Sequence, residues 1–481
     1  MAHNKFLPRV LAAAAAMMLL AGCGSKADPG FSPANPVNIT IWTYYNGEQL
    51  EAFNALVDEF NSTVGKEQGI TVESSSHGSV TDLENNVLAS AEGKVGAEAM
   101  PNIFSAYADT AYALDEMGQI ADLSDYLSEE DRAAFIEDYL SEGDFSGSGS
   151  IKIFPVAKSA ELLFLNETDW EPFAAATGAT YDDLATIEGL VSVAERYYEW
   201  TDAQTPDIPN DGRAFFGRDA MANYMLIGAK QLDCTIFDAQ DGSMTLNFDH
   251  DAVRTLWDNY YVPFIKGYFS ASGRFRSDDV KTGNIIAYVG SSSSATFFPT
   301  QVIADDMDSH DITRKALESP KFANGEDYAV QQGAGMVVTK ASDAEIQASL
   351  VFLKWFTSPE HNITFSVDSG YLPVTHEGNS IDAIRISGLA LSDEMDEVLS
   401  AAVDTVNENH LYTPRAFSGG TNARAILEYS MSDKASADRA AVKEAMAQGQ
   451  SFEDASAQFL SDECFEAWYQ DTLASLEAFQ G

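Results

Sequence analysis

The sequence predicts an α/β protein of two lobes, and three observations support this prediction. Strand-like and helix-like segments alternate from residue 38 onward. A Gly/Ser turn, GDFSGSGS, then interrupts the alternation before a second series begins. Finally, strands give way to Gly-, Ser- or Pro-rich turns near 154–159, 290–294 and 368–373, which we expect to be crossings between the lobes. The 481 residues suffice for two or three domains.

The first series has the order β-α-β-α-β. NITIWTYY is a β-rich run, and apolar residues recur at helical spacing in the segment EQLEAFNALVDEFNSTVG. A second strand is predicted around Ile70 to Val72, a helix over TDLENNVLASAEG, and a third strand after Pro101. This alternation over about seventy residues is typical of a parallel sheet covered by helices.

The second series begins with a strand over Leu162 to Leu165. Three helices are predicted next, over IEGLVSVAERYYEW, RDAMANYMLIGAKQLD and HDAVRTLWDNYYVPFIK. The strand NIIAYV leads into the serine run SSSS, YAVQQGAGMVVTK is strand-like, and the chain is mostly helical after SGYLPVT. We predict a first lobe of residues 37–156 plus 296–368 and a second of residues 157–295 plus 369–481. A ligand is expected in the crevice between them.

The first residues are typical of an export signal. Lys5 and Arg9 precede the short apolar run LAAAAAMMLLAG, which ends in LAGC. LAGC looks like a lipobox, so we predict that residues 1–22 are removed, that Cys23 is acylated, and that residues 23–36 form a flexible tether. An ordinary secretory peptide with a chance cysteine is the alternative. The predicted location is the outer face of the cell membrane.

The charge balance restricts the partners. The chain has 28 basic and 74 acidic residues, a net charge of −46. A field of this sign argues against nucleic acid and anionic lipid surfaces as partners. A bound anion would therefore need hydrogen-bond donors or positive side chains close to it, which overcome the long-range repulsion by the acidic chain. Cys234 and Cys464 remain as possible disulfide partners, and nothing in the sequence decides whether they pair.

Motifs of catalysis are missing from the sequence. The seven histidines are scattered singly, without metal-ligand spacing. There is no nucleophile elbow around a serine, no phosphate-binding Walker loop, and no complete dinucleotide-binding glycine motif. The sequence therefore predicts a protein that is not an enzyme and holds neither a cofactor nor a metal.

Three long segments carry a resemblance to a known family: ITIWTYYNGEQLEAFNALVDEFN, PNIFSAYADTAYALDEMGQIADLSDYL and, most specifically, FLKWFTSPEHNITFSVDSGYLPVT. They resemble the extracellular solute-binding proteins (family 1) of ABC importers, closest to the group that binds oligosaccharides and glycerol 3-phosphate. The resemblance covers essentially all of the predicted mature chain. It implies the type II periplasmic-binding-protein fold, in which two lobes joined by a hinge close over a ligand.

The resemblance also implies a phosphate site. Glycerol-3-phosphate-binding members hold the phosphate with two serines, a glycine, a tyrosine and an arginine at the lobe crossings. The matching positions here are Ser159, Ser292 with Ser293 beside it, Gly333, Tyr371 and Arg424. Serine hydroxyls and an arginine suit phosphate oxygens, and SGGTNAR places small residues just before a helix whose amides could face an anion. Each residue also has a structural alternative: a cap, a packed aromatic, an ion pair or a close-packed glycine.

The part of the site that would contact the organic half of the ligand departs from the family pattern. Val80 and Ala108 stand where a tyrosine and a glutamate are expected. Tyr44, Tyr107 and Asp109 are the candidate substitutes.

The predicted function is that of a lipid-anchored, monomeric binding protein of an ABC importer. It would capture a small phosphorylated polyol or sugar, resembling glycerol 3-phosphate, and deliver it to permease subunits in the membrane. A neutral oligosaccharide is the main alternative ligand, and a surface-anchored hydrolase is a remoter alternative.

Overall fold

The first sheet is built around β1 (Val37–Thr43), whose Ile39 and Ile41 are completely buried. In the computed structural model, which describes residues 30–240, 242–304 and 309–480, β1 pairs in parallel with β2 (Ile70–Ser76) and β3 (Ile103–Ala106). β13 (Gly335–Val338) pairs antiparallel with β3 and completes the order β13-β3-β1-β2. The predicted parallel β-α-β-α-β arrangement is confirmed.

The second sheet has the order β11-β4-β8-β5. Its centre is β4 (Glu161–Asn166), which is buried at every position and pairs antiparallel with β8 (Ala287–Ser291). β5 (Phe216–Arg218) runs parallel to β8. β11 (Arg314–Glu318) pairs antiparallel with β4, although it lies in the range predicted for the first lobe. That part of the predicted boundary is wrong, because this strand completes the second sheet.

The remaining strands form three small pairs. These are β6 (Phe237–Gln240) with β7 (Ser243–Leu246), β9 (Gln301–Val302) with β10 (His310–Asp311), and β12 (Tyr328–Val330) with β14 (His410–Tyr412).

The helices cover both sheets. Up to the second sheet they are α1 (Gly47–Ser62), α2 (Val64–Gln68), α3 (Val80–Ala91), α4 (Ala108–Glu116), α5 (Glu129–Ala134) and α6 (Glu137–Ser141). Those of the middle of the chain are α7 (Glu167–Thr177), α8 (Ile187–Asp202), α9 (Met221–Gln231), α10 (His250–Lys266) and α11 (Arg276–Lys281). The last are α12 (Asp343–Phe356), α13 (Pro359–Ser369), α14 (Ile381–Ile386), α15 (Asp393–Glu408), α16 (Gly420–Ala447), α17 (Phe452–Ser456) and α18 (Asp462–Glu477).

Helix α1 shows why these segments take their places. Its apolar residues form one stripe, and Phe53, Leu56, Val57 and Phe60 are all buried. Phe53 meets Phe356 with ring centroids 5.5 Å apart, so the stripe packs on α12 and α13 from a distant part of the sequence. Burying a side chain of this size contributes about 2 kcal/mol. The predicted helical face is confirmed.

The first described residues pack against the first lobe. Residues 1–29, including the predicted cleavage site and Cys23, lie outside the described residues. The predicted tether is wrong for its last part, because Phe31 is buried in the first-lobe core and Ser32 lies against Gly69.

Cys234 and Cys464 are separate thiols. Among the described helices, none is long and apolar enough to cross a membrane.

Candidate functional site

Three chain segments meet where the two sheets approach each other. The backbone of Lys158 pairs with that of Leu372, with Lys158 N donating to Leu372 O at 3.1 Å. Ser159 N donates to Gln332 O at 2.9 Å. The segments around 158, 332 and 372 thus form a short ladder between the lobes, which matches two of the predicted crossings.

A buried ion pair ties this ladder together. The ammonium of Lys158 is fully buried and contacts the carboxylate of Glu142, which is also buried. The same ammonium donates to the carbonyl oxygen of Gly333 at 2.8 Å, and Gln331 Nε2 donates to Glu142 Oε2 at 3.2 Å. One cation therefore joins two of the three crossing segments to the first lobe.

Beside the ladder lies a cleft with walls from both lobes, and its two ends differ in chemistry. The end that we call the tyrosine compartment has a volume of about 920 Å³ and is lined chiefly by Tyr44, Gln49, Arg274, Phe275, Lys281, Ser293, Phe297 and Tyr371. The end that we call the carboxylate compartment has a volume of about 570 Å³ and is lined chiefly by Glu84, Tyr107, Asp109, Glu142, Asn223, Arg424 and Glu428.

The tyrosine compartment takes its name from a pair of hydroxyls. Tyr44 follows β1 of the first sheet and Tyr371 lies in the crossing segment after α13, and their Oη atoms lie 3.3 Å apart. Burial raises the pKa of Tyr44, Tyr371 and, in the neighbouring compartment, Tyr107. The three phenols therefore stay protonated at neutral pH and can donate hydrogen bonds to a ligand.

The serine run mostly bonds to the protein itself. Ser292 is completely buried, and its Oγ donates to the carbonyl oxygen of Gly370 at 2.9 Å. Ser294 Oγ donates to Ser291 O at 2.7 Å. Ser293 lines the tyrosine compartment, and its Oγ lies 2.9 Å from Ser291 Oγ. Of the two serines predicted here, the structure thus brings Ser293 to the cleft and assigns the hydroxyl of Ser292 to the turn after α13.

The carboxylate compartment holds a close contact between the lobes. Asp109, in the first turn of α4, lies against Gly420, the first residue of α16. A Cβ atom at position 420 would be 2.4 Å from Asp109 Oδ1. Burial raises the pKa of Asp109 to about 6; nearby Arg424 opposes this rise, and the carboxylates of Glu84 and Glu142 add to it. The helix start that was predicted to face an anion therefore faces a carboxylate of the protein.

Arg424 is held by a chain of polar side chains. Its guanidinium donates to Asn223 Oδ1, and Asn223 Nδ2 donates to Glu161 Oε1 at 2.8 Å. Glu161 in turn pairs with Arg218 below the cleft floor. No carboxylate of the described residues lies within 4 Å of the Arg424 guanidinium. Arg424 is thus oriented by a neutral amide and keeps its charge available to the cleft.

Two further carboxylates complete the compartment. Glu84 accepts a hydrogen bond from Thr110 Oγ1 at 2.8 Å, and burial raises its pKa. Glu428 accepts one from the backbone N–H of Ala222 at 2.7 Å, at the start of α9. Including Asp109 and Glu142, four carboxylates and one arginine line this end of the cleft.

The predicted site residues are therefore divided. Ser293, Tyr371 and Tyr44 line one compartment, and Tyr107, Asp109 and Arg424 line the other. Ser159 and Gly333 lie in the ladder between the lobes and line neither compartment. The structure adds residues that no sequence pattern indicated: Glu84, Glu142, Asn223, Glu428 and the buried Lys158. In a chain with 74 acidic residues, no pattern separates four cleft carboxylates from the others.

Residues 55–384 match the sequence model of a family described as bacterial extracellular solute-binding protein. No curated protein matches the sequence significantly.

Several solved structures share the fold. A cyclic α-maltosyl-1,6-maltose binding protein from Arthrobacter globiformis has a TM-score of 0.65 at 17% identity, over 92% of this chain and 100% of that chain. UgpB from Mycobacterium tuberculosis, in complex with glycerophosphocholine, has a TM-score of 0.64 at 16% identity, over 92% and 98%. Lmo0181 from Listeria monocytogenes, an ABC substrate-binding protein in complex with cycloalternan, has a TM-score of 0.62 at 15% identity, over 88% and 99%. The type II periplasmic-binding-protein fold, with two lobes around a cleft, is shown.

Proposed function

This chain belongs to the bacterial extracellular solute-binding proteins, and we propose that it captures a neutral oligosaccharide in the cleft for delivery to the permease of an ABC importer. The observation that carries the proposal is the excess of carboxylates in the carboxylate compartment. Lys158 neutralises Glu142, which leaves Glu84, Asp109 and Glu428 against one arginine. A phosphate placed there would be repelled by like charges, whereas sugar hydroxyls donate to carboxylate oxygens at no such cost.

The tyrosine compartment supports the same ligand class. Phe275 and Phe297 are 53% and 49% exposed at its mouth, which is unusual for large apolar side chains that serve only a core. Such faces, with Tyr44 on the opposite wall, suit the C–H faces of sugar rings. The two compartments together offer room for more than one sugar ring. Of the structures with the same fold, one is described as a cyclic α-maltosyl-1,6-maltose binding protein and another as a complex with cycloalternan.

A second candidate ligand is a phosphorylated polyol. Arg424 is the specific observation in its favour, because its guanidinium faces the cleft without a carboxylate within 4 Å among the described residues. The glycerophosphocholine complex of the similarly folded UgpB also supports it. The phosphate would then have to lie beside Arg424 and away from the three carboxylates that Lys158 does not neutralise.

One substitution distinguishes the two ligands by the sign of its effect. The purified full chain is titrated calorimetrically with maltotriose, cyclic maltosyl-maltose, glycerol 3-phosphate and glycerophosphocholine. Asp109→Asn should weaken binding of a neutral sugar at least fivefold, because a charged acceptor is lost. The same variant should strengthen binding of a phosphate, because a repulsive charge is lost.

Two further variants complete the design. Asp125→Asn changes the same charge at an exposed position outside the cleft and should leave both affinities within twofold. Arg424→Ala should abolish phosphate binding and reduce sugar binding only in part. Tight binding of glycerol 3-phosphate that Asp109→Asn strengthens, with no binding of any sugar, would overturn the oligosaccharide proposal.

A further inference from the structure

A third depression lies at the far end of the second lobe, and we call it the distal pocket. It has a volume of about 560 Å³ and is lined by the loops before β5 and β8, by the segment after α10 and by the C-terminal half of α16. The cleft is at the opposite ends of the same strands, since Asp219 follows β5 and Ser293 follows β8. The length of the second sheet therefore separates the distal pocket from the cleft.

The distal pocket concentrates positive charge in an acidic protein. Arg213, Arg439 and Lys443 line it together with one carboxylate of the described residues, Asp211; Arg213 makes a further interaction of its own, so we consider only Arg439 and Lys443 below. In the whole chain, acidic residues outnumber basic ones by 74 to 28. Two cations thus share one concave surface of an otherwise acidic protein.

Arg439 forms the floor of the pocket. It is only 8% exposed, and its Nη1 donates to the carbonyl oxygen of Ile265 at 2.8 Å. No carboxylate of the described residues lies within 4 Å of its guanidinium. The guanidinium fits beside Gly267 because this residue has no side chain: a Cβ atom at position 267 would be 2.3 Å from Arg439 Nη2. Buried charges in proteins are normally paired, so a guanidinium bonded only to neutral groups has capacity for an anion.

Lys443 lies one helical turn further along α16 and faces the same pocket. Burial and the charge of Arg439 lower its pKa, so the two cations repel each other. Among the described residues no carboxylate lies within 4 Å of its ammonium. An anion between the two cations would relieve this repulsion.

Neutral polar side chains line other parts of the pocket. Ser270 and Ser272 lie at the rim with their Oγ atoms 3.3 Å apart, and Asn284 and Ser436 line the remaining wall. A guanidinium, an ammonium and several hydroxyls in one concave site match the three-oxygen surface of a phosphate group.

We propose that the distal pocket is a second binding site, separate from the cleft, which takes a phosphate-bearing anion between Arg439 and Lys443. The phosphate could belong to a free ion or to a lipid headgroup, since both present the same oxygens. The geometry of the pocket does not depend on which ligand the cleft takes.

The test uses Arg424→Ala as its background, so that phosphate binding in the cleft cannot contribute. Inorganic phosphate is titrated calorimetrically into this full-length variant, into the same variant carrying Lys443→Gln, and into one carrying Lys340→Gln instead. Lys340 is an exposed lysine of the first lobe, outside the pocket, and it matches Lys443 in the charge removed. We expect saturable binding of one phosphate, weakened at least tenfold by Lys443→Gln and less than twofold by Lys340→Gln.

Vesicles separate the two sources of the phosphate group. The protein is sedimented with phosphatidylglycerol vesicles and, for comparison, with phosphatidylcholine vesicles. If the ligand is a free ion, Lys443→Gln should not change the amount of protein bound to either kind of vesicle. Binding to the anionic vesicles alone that Lys443→Gln abolishes and Lys340→Gln preserves would assign the pocket to a lipid headgroup. Absence of both kinds of binding, or equal losses in the two lysine variants, would overturn the proposal.

Discussion

The carboxylate of Asp109 in the first lobe lies directly against Gly420, the first residue of α16 in the second lobe. Because a Cβ atom at position 420 would be 2.4 Å from Asp109 Oδ1, the absence of a side chain leaves room for the carboxylate in its present orientation. The contact buries the carboxylate against the start of α16, and this burial raises its pKa, so the charged form is disfavoured there. It links the approach of the lobes to the chemistry of the carboxylate compartment.

Gly420→Ala should hold the lobes apart. The added methyl group meets the carboxylate, so the closed arrangement is strained and ligand affinity should fall about tenfold or more. Calorimetric titration measures the affinity, and small-angle X-ray scattering measures the radius of gyration with ligand present. The double variant Asp109→Ala, Gly420→Ala removes the clash and should recover the compact form. A compact Gly420→Ala variant would contradict the steric explanation.

The raised pKa of Asp109 predicts a definite pH dependence of stability. Its pKa is about 6 in the folded protein and about 3.9 in an unfolded chain. Between these values the folded state binds more protons, so this group's contribution to the free energy of unfolding falls as pH rises from 4 to 6. Asp109→Asn should therefore match the wild type near pH 4 and exceed its melting temperature above pH 6.

Thermal unfolding of both proteins over pH 4 to 8 checks this prediction. Burial also raises the pKa of Asp219 to about 6, so Asp219 changes its protonation state over the same pH range in both proteins. The difference between their melting temperatures therefore isolates Asp109. A difference that does not grow between pH 4 and 6 would refute the assignment.

Ser292 and Ser293 should behave differently although they are neighbours. Ser292→Ala leaves the buried carbonyl of Gly370 without its donor and should cost about 1–2 kcal/mol in the free energy of unfolding, with ligand affinity nearly unchanged. Ser293→Ala removes a hydroxyl from the cleft wall and should change affinity more than stability. Urea unfolding and calorimetric titration of both variants test this, and a reversed pattern would disprove it.

The buried pair Lys158–Glu142 should be sensitive to the loss of one partner. Lys158→Met leaves the Glu142 carboxylate buried without its cation and should cost about 3–5 kcal/mol. The double variant Lys158→Met, Glu142→Gln removes both charges and should cost clearly less than the single change. Denaturant unfolding measures both, and Lys354→Met, which breaks the half-buried pair with Asp131, serves as the control with a cost below about 1 kcal/mol. Equal costs for the single and double variants would show that the charge of Glu142 is not the cause.

Local patterns predicted much of the fold. The helical stripe of α1, the parallel order of β1, β2 and β3, and the buried strand β4 all follow from the spacing of apolar residues. The placement of β11 could not be predicted, because the sequence of a short strand does not indicate which sheet edge it pairs with. Residues 31–36 likewise have the composition of a linker, yet Phe31 packs into the first lobe.

The candidate site was predictable only in part. The resemblance predicted Ser159, Ser292 with Ser293 beside it, Gly333, Tyr371 and Arg424, of which only Ser293, Tyr371 and Arg424 line the cleft. It could not show that Ser292 turns its hydroxyl toward Gly370, since adjacent residues of one turn point in different directions. It also could not identify Glu84, Asn223 or Glu428, which reach the cleft from separate helices.

The sequence by itself determined the two-lobed α/β fold and the membership of the chain in a binding-protein family, because apolar periodicity and contiguous motifs are local properties. The tertiary structure alone decided the character of the cleft. Glu84, Asp109 and Glu142 precede Arg424 and Glu428 by more than 270 residues, and the effect of these charges on a ligand depends on distances that only the folded chain sets. The cluster of four carboxylates and one arginine exists only in the folded arrangement of the two lobes.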